Sequence, residues 1–259
     1  MWQSPELQSR VTALSGSRAR VEPLLTARER AALHGTPWFA ALPMVVRHDI
    51  LCHCDVRRYQ HGEILPAGGA GLFPLNVVSS GAVRLAFGRP GAPALDYLAT
   101  GQWFVDPALF GGEAALCAGT AHGSTTIGCV RGEFLPALML RHPRLQPALL
   151  KLNHARVAGL VDILEGLSTL PLQARLARCL LRLAGNFGQA ETGAIRIALP
   201  LTQDALAALV RIGRQRLNRE LKALETQGVL RVGRQIRITN LQALQALAGA
   251  PPPPAIAAS

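Results

Sequence analysis

Residues 214–222 concentrate side chains suited to one task, hydrogen bonding to the edges of nucleobases. Arg214, Gln215, Arg216, Asn218, Arg219 and Lys222 alternate with Leu217, Leu221 and Leu224. The leucines repeat at helical spacing, so they fall on one face and leave the polar residues on the other. Arg can bond guanine O6 and N7 in bidentate fashion, and Gln or Asn can do the same for adenine. The spacing predicts a helix whose outward face fits a DNA major groove.

A reading helix needs a platform. Upstream, Leu201, Leu206 and Leu209 form another apolar face, with Thr202 placed to cap that helix. Two helices joined by a tight turn make a helix-turn-helix, whose second helix enters the groove. Gln227-Gly228 stops the second helix. Val229 to Val232, a Gly233-Arg234 turn, and Gln235 to Ile238 then read as a short basic hairpin. The charges alone would also fit a helix pair with a solvated basic face. The hairpin behind the second helix favours a winged helix on DNA, with Thr202 and Arg234 touching the backbone from the helix cap and the wing.

The run LAALVRIGRQRLNREL resembles the helix-turn-helix of the Crp/Fnr transcription regulators without a gap. The resemblance puts Arg214, Gln215, Asn218 and Arg219 where that family contacts bases and phosphates. Two positions depart from its pattern. Arg211 stands where the family usually has a turn glycine, which places a non-Gly residue at positive φ. Gly213 stands where the family usually has a serine cap, and caps more weakly.

Charge follows the same division. From Pro171 onward twelve Lys/Arg stand against four acids, so +8 of the formal +11 lies in the last third. That excess suits a polyanionic partner. Neither a basic-apolar leader at Met1 to Pro5 nor a membrane-spanning run is legible, and five scattered cysteines fit a reducing cytoplasm. No glycine-rich phosphate loop, paired carboxylates or nucleophile elbow appears, so an enzyme is not expected. Cys52-His53-Cys54 with Cys117 or Cys129 could ligate a soft metal, and His53, His61, His122 and His154 are haem-ligand candidates. Buried structural thiols are the simpler reading, and no cofactor is expected.

The first half changes texture. Residues 1–25 read as a flexible start, and Thr26 to Glu29 as a capping box opening one or two short helices. Trp38, Phe39 and Leu42 are expected to pack on residues later in the chain. From about Cys54 to Phe134, short strand-like segments are separated by turns at Gly68-Gly69, Ser80-Gly81, Gly88 to Gly91 and Gly111-Gly112, as in a small antiparallel roll. Tyr59 to Glu63, Val78 to Leu85 and Gly101 to Phe104 resemble successive signposts of the cyclic-nucleotide-binding β-roll. The expected fold is α+β: a roll over 26–140, a dimerisation helix over 141–170, a winged helix-turn-helix over 171–249 and a disordered 250–259 tail.

The helix over 141–170 carries two apolar stripes. One runs through Leu145, Leu149, Leu152, Gly159 and Ile163, the other through Leu150, Val157, Leu160 and Leu164. Two stripes imply burial from two sides. The first is expected to form a homodimer seam, with Gly159 allowing close approach; the matching helix of the resembled family is its dimer seam.

The resemblance also implies an effector pocket at Phe104, Val105, Asp106, Ala114 and Ala115. Val105-Asp106 replace the Gly-Glu pair of cyclic AMP-binding members, and no Arg lies between Trp103 and Val130. A buried cyclic phosphate without a cationic partner is costly, by about 2–5 kcal/mol in analogous truncated charge pairs. The expectation is therefore a homodimeric regulator of double-stranded DNA that does not depend on cyclic AMP. It would answer to an unidentified small molecule or to none, and RNA polymerase is a further partner implied by the resemblance. The alternative is a ligand-binding or interaction module whose helix-turn-helix is vestigial.

Overall fold

The computed structural model describes residues 20–22, 25–66, 75–88, 91–105 and 117–249. They divide into two units: residues below 93 with 97–157, and 93–96 with residues from 158 on. The last of these cuts, between Val157 and Ala158, falls inside one long helix.

The first unit begins with β1 (Arg20–Glu22), inside the stretch expected to be a flexible start; it pairs with β2 (Cys54–Tyr59), Val21 opposite Arg57. Then comes α1 (Ala27–His34). Thr26 and Glu29 cap it reciprocally: the Thr26 amide donates to Glu29 Oε2 at 2.8 Å, and the Glu29 amide to Thr26 Oγ1 at 3.2 Å. Next are α2 (Pro37–Ala40) and α3 (Met44–Cys52). The six-stranded antiparallel sheet is ordered β1, β2, β6 (Cys117–Val130), β3 (Leu75–Phe87), β4 (Ala94–Ala99), with β5 (Trp103–Val105) paired to β3. Helix α4 (Leu135–Arg141) leaves the sheet.

The expected turn at Ser80-Gly81 is not a turn. β3 runs straight through it as an irregular stretch of ladder, with register shifts on either side of Ser80. Gly81 has φ +80°, and a Cβ there would lie 2.4 Å from the Ser124 carbonyl oxygen. Only glycine lets β3 and β6 approach this closely. The expected turns at Gly68-Gly69 and Gly111-Gly112 lie outside the described residues, as do 1–19 and the expected tail at 250–259.

Two apolar clusters form in this unit. One contains Tyr59, Val78, Val83, Leu98, Ile127 and Cys129, with Phe104 against it. The other joins the helices to the sheet through Phe39, Ile50, Val56, Trp103, Leu138, Leu145 and Leu149, with Val105 against it. As expected, the Trp38 and Phe39 segment packs on later residues: Phe39 stacks on Trp103 at 4.8 Å, and the Trp38 indole donates to the Ala148 carbonyl at 2.9 Å. The effector-pocket expectation needs correction at Val105. Successive strand residues face opposite ways, so Val105 joins the cluster that Phe104 does not. Asp106, Ala114 and Ala115 lie outside the described residues.

Helix α5 (Leu145–Thr169) runs for 25 residues. The seam expected of Leu145, Leu149 and Leu152 is also corrected. Leu145 and Leu149 are fully buried in the first unit's own core, and Leu152 packs against it. Ile163, in the second unit, is also buried, while Gly159 is exposed. The uncovered apolar side chains are Leu150, Val157, Val161 and Leu164, at 47, 49, 55 and 44% exposure. No helix of the described residues is long and apolar enough to cross a membrane.

The second unit holds α6 (Leu172–Phe187), whose Leu176, Ala177, Cys179, Leu180 and Leu183 are buried. Then come β7 (Gly188–Glu191) and β8 (Ala194–Ile197), α7 (Gln203–Val210), α8 (Arg214–Thr226), the hairpin β9 (Leu230–Val232) and β10 (Ile236–Ile238), and α9 (Leu241–Ala248). Its sheet is ordered β7-β8-β10-β9. Strand β7 carries no sequence signal of its own, because GQAE has no apolar alternation.

Candidate nucleic-acid interface

Helix α7 begins where Thr202 adopts extended backbone and its hydroxyl accepts from the Ala205 amide at 3.1 Å. Leu206, Ala207, Leu209 and Val210 are buried. The helix ends at Arg211, with φ 57° and ψ 50°, the single non-Gly residue at positive φ among those described. The Ile212 amide donates to the Ala207 carbonyl at 3.0 Å and the Arg211 amide to Ala208 at 3.2 Å. This is a Schellman ending, whose left-handed position glycine usually fills. The chain turns sharply here because two otherwise orphaned carbonyls gain partners, at the cost of a strained arginine.

Helix α8 starts two residues later. Gly213 is its N-cap, extended and without a side-chain hydrogen bond. Leu217, Leu221 and Leu224 are buried. Each contributes about 1.5–3 kcal/mol relative to exposure, enough to fix which face looks out. Arg214, Gln215, Arg216, Asn218, Arg219 and Lys222 are all exposed. Their engagement differs. Arg214 Nε donates to Gln203 Oε1 at 3.3 Å, and its Nη1 lies 3.5 Å from Asp204. Arg216 Nε donates to Glu220 Oε1 at 3.3 Å. Gln215, Asn218 and Arg219 have no hydrogen bond or ion pair among the described residues. Three of the expected readers are therefore free among the described residues, and two are engaged by intrachain partners.

The wing is tied to this helix. Glu225 Oε1 accepts from the Val232 amide at 3.0 Å, and the Val229 amide donates to the Leu224 carbonyl at 3.0 Å. Leu230 and Ile238 are buried on the inner face of the hairpin, and Arg234 is exposed at its turn. Thr202, Gln203, Gly233, Arg234 and Gln235 line one small cleft. The cap of α7 and the tip of the wing, far apart in sequence, thus stand side by side. The Thr202 hydroxyl accepts at the cap, and Arg234 places a cation on the same cleft.

Among the described residues the other candidate ligands form no group of three or more that could hold a metal, although the His61 and His122 rings meet edge-on at 5.4 Å. Cys52 ends helix α3, exposed, with Sγ 3.4 Å from His48 Nε2. Cys54 begins a strand, and burial pushes its thiol up to about 12. Its partner in the ladder is Val130, so it faces away from Cys129 on the opposite side of the sheet. The His53 ring bonds the Asp49 carbonyl at 2.7 Å, and His61 Nδ1 accepts from the Gly123 amide at 3.0 Å. His154 is exposed on α5, and His122 packs edge-on against Tyr97.

Sequence reasoning passed over Gln203 and Asp204, which hold Arg214, and over Arg196, Arg237 and Glu191 of the wing sheet. The first pair carried a weak signal, polar residues in the opening turn of a helix. The second set carried none, because three strands bring them together.

Comparison with known proteins agrees with this geometry. Residues 174–247 match the Crp-like helix-turn-helix domain. Over 127 residues the chain is 31% identical to the CRP-like cAMP-activated global transcriptional regulator of Mycobacterium tuberculosis, a match of 47% of this chain and 57% of that protein. The chain thus spans little more than half the length of the curated relatives it matches. A CooA mutant from Carboxydothermus hydrogenoformans is similar at TM-score 0.62 and 20% identity, over 86% of this chain and 97% of that one. FixK2 from Bradyrhizobium japonicum is similar at TM-score 0.65 and 21% identity, over 77% and 99%. The fold is thus one shared with solved regulators of the CRP/FNR family, and the carboxyl-terminal part matches the Crp-like helix-turn-helix domain.

Proposed function

We propose that this chain, a Crp/Fnr fold ending in a Crp-like helix-turn-helix domain, is a cytoplasmic transcription regulator that binds DNA as a homodimer. The observation that carries the reading is the outward face of α8. Gln215, Asn218, Arg219 and Lys222 sit at i, i+3, i+4 and i+7 above a fully buried leucine row. A discarded reading helix has no need to stay cationic, which disfavours a vestigial module. Arg214 and Arg219 contact bases and phosphates, Gln215 and Asn218 set which bases are preferred, and Arg216 joins them after release from Glu220. Thr202 and Arg234 hold the backbone.

Two copies meet along α5. Leu150, His154, Val157, Val161 and Leu164 advance by four, three, four and three residues, the 3.5-residue spacing of a two-helix seam. Helix-turn-helix dimers read two-fold sites with half-sites about 34–36 Å apart. Binding does not depend on cyclic AMP, unlike that of the relative named for it. The support is the absence of any Arg or Lys between Trp103 and Val130.

Selection from a random duplex pool by the purified protein, without added ligand, tests the reading. Recovery of an inverted repeat is expected. Binding blind to sequence would overturn the specific-regulator reading, and micromolar cyclic AMP binding by titration calorimetry would overturn the independence claim.

A further inference from the structure

The outer face of the β7-β8-β10-β9 sheet carries a row of basic side chains that the groove-reading helix does not use. The register sets Gln189 opposite Arg196, Arg196 opposite Arg237, and Arg237 opposite Arg231. Directly opposed residues of an antiparallel ladder project from the same face, about 4.5–5.5 Å apart at Cβ. The alternate residues Leu230, Ile238 and Ile197 are buried beneath. Three arginines therefore project from one face on adjacent strands, and like charges directly opposed are destabilising. Such a row calls for an anion.

The protein supplies one anion itself. Glu191 Oε1 accepts from Arg196 Nε at 2.5 Å, and its Oε2 from Arg237 Nε at 3.0 Å. One carboxylate thus spans two neighbouring guanidiniums with one oxygen each, as two oxygens of a phosphodiester would. Arg196 is further committed to Gln189 and Gln235. Arg231 is exposed and has no partner among the described residues. Arg237 leans toward the wing turn: its Nη1 lies 3.8 Å from where a Cβ on Gly233 would stand. The row therefore continues the basic track that Arg234 begins at the tip. It crosses two strand spacings, about 10 Å, the axial rise of about three phosphates on one DNA strand.

We propose that Arg196, Arg237 and Arg231 form a second DNA-backbone site that takes the phosphodiesters flanking the segment read by α8, with Glu191 as its built-in competitor. This rests on the DNA-binding reading above. Flanking DNA that closes onto the sheet displaces Glu191 from Arg237 and recruits Arg231. The site adds affinity and salt dependence without sequence preference, and only when the duplex is long enough to reach it.

The test uses the full-length protein and two duplexes of about 20 and about 40 base pairs that share one central selected inverted repeat. Affinity is followed by fluorescence anisotropy over a range of salt. For the Arg231→Gln/Arg237→Gln double variant, binding to the long duplex is expected to weaken at least about tenfold near 100 mM salt. Its slope of log K against log salt should flatten by about two per protomer. Binding to the short duplex should stay within about twofold of wild type. Glu191→Gln should tighten binding to the long duplex alone, with thermal melting showing all variants folded. Equal losses on both lengths, or none on either, would overturn the flanking site. The underlying DNA reading fails separately, if the wild type binds the short duplex no better than Arg219→Ala does.

Discussion

Glu225 Oε1 accepts the Val232 amide at 3.0 Å, so the last turn of α8 and the first strand of the wing are held by one charge-assisted hydrogen bond. Whatever turns the helix in a groove also moves the wing. Glu225→Ala leaves that amide without its acceptor at a partly exposed site, and should cost about 1 kcal/mol. Faster hydrogen exchange at Val232 and weaker DNA binding, both restored by Glu225→Gln, are the expected result. Unchanged exchange would show that the bond does not hold the wing.

Arg211 occupies a left-handed backbone conformation. Arg211→Gly should relieve about 1–2 kcal/mol of strain, partly offset by about 0.5–1 kcal/mol of backbone entropy. A small rise in the melting temperature is expected. A fall would mean that the arginine side chain contributes stability of its own.

Arg219 and Arg234 should separate base reading from backbone holding. Arg219→Ala is expected to cost about 1–3 kcal/mol on the selected site and to relax its sequence preference. Arg234→Ala should weaken selected and random duplexes alike and lower the salt slope by about one. Equal losses on both duplexes for Arg219→Ala would contradict its assignment as a reader.

The exposed stripe of α5 predicts which substitution makes monomers. Val157→Asp should shift sedimentation toward the monomer, because a charge then sits in a dry seam. Gly159→Ala should have little effect, since nothing lies within 4 Å of a Cβ there within the chain. A Val157→Asp protein that remains dimeric would place the seam elsewhere.

Thiol reactivity should follow burial. The Cys54 and Cys179 thiols are pushed up by burial to about 12 and about 11. Cys129 is raised by the same cause. At pH 8 all three remain protonated and inert to alkylation in the native protein, while exposed Cys52 reacts. Site mapping by mass spectrometry checks this. Rapid native labelling of Cys54 would show that its strand opens.

The sequence by itself determined the two faces of α8, the capping box at Thr26 and Glu29, the hairpin behind the reading helix and the left-handed turn at Arg211. Each depends on neighbours within a few residues, where 3.6- or two-residue periodicity and cap chemistry decide. Tertiary structure alone decided which stripe of α5 stays uncovered. Leu145 and Leu150 are equally apolar; only docking on Leu138 and its neighbours buries the one and leaves the other at the surface. It also decided that Phe104 and Val105 belong to different clusters, and that Arg231, Arg237, Arg196 and Glu191 share one face. Strand register sets such neighbours, and it couples residues whose separation along the chain carries no local signal.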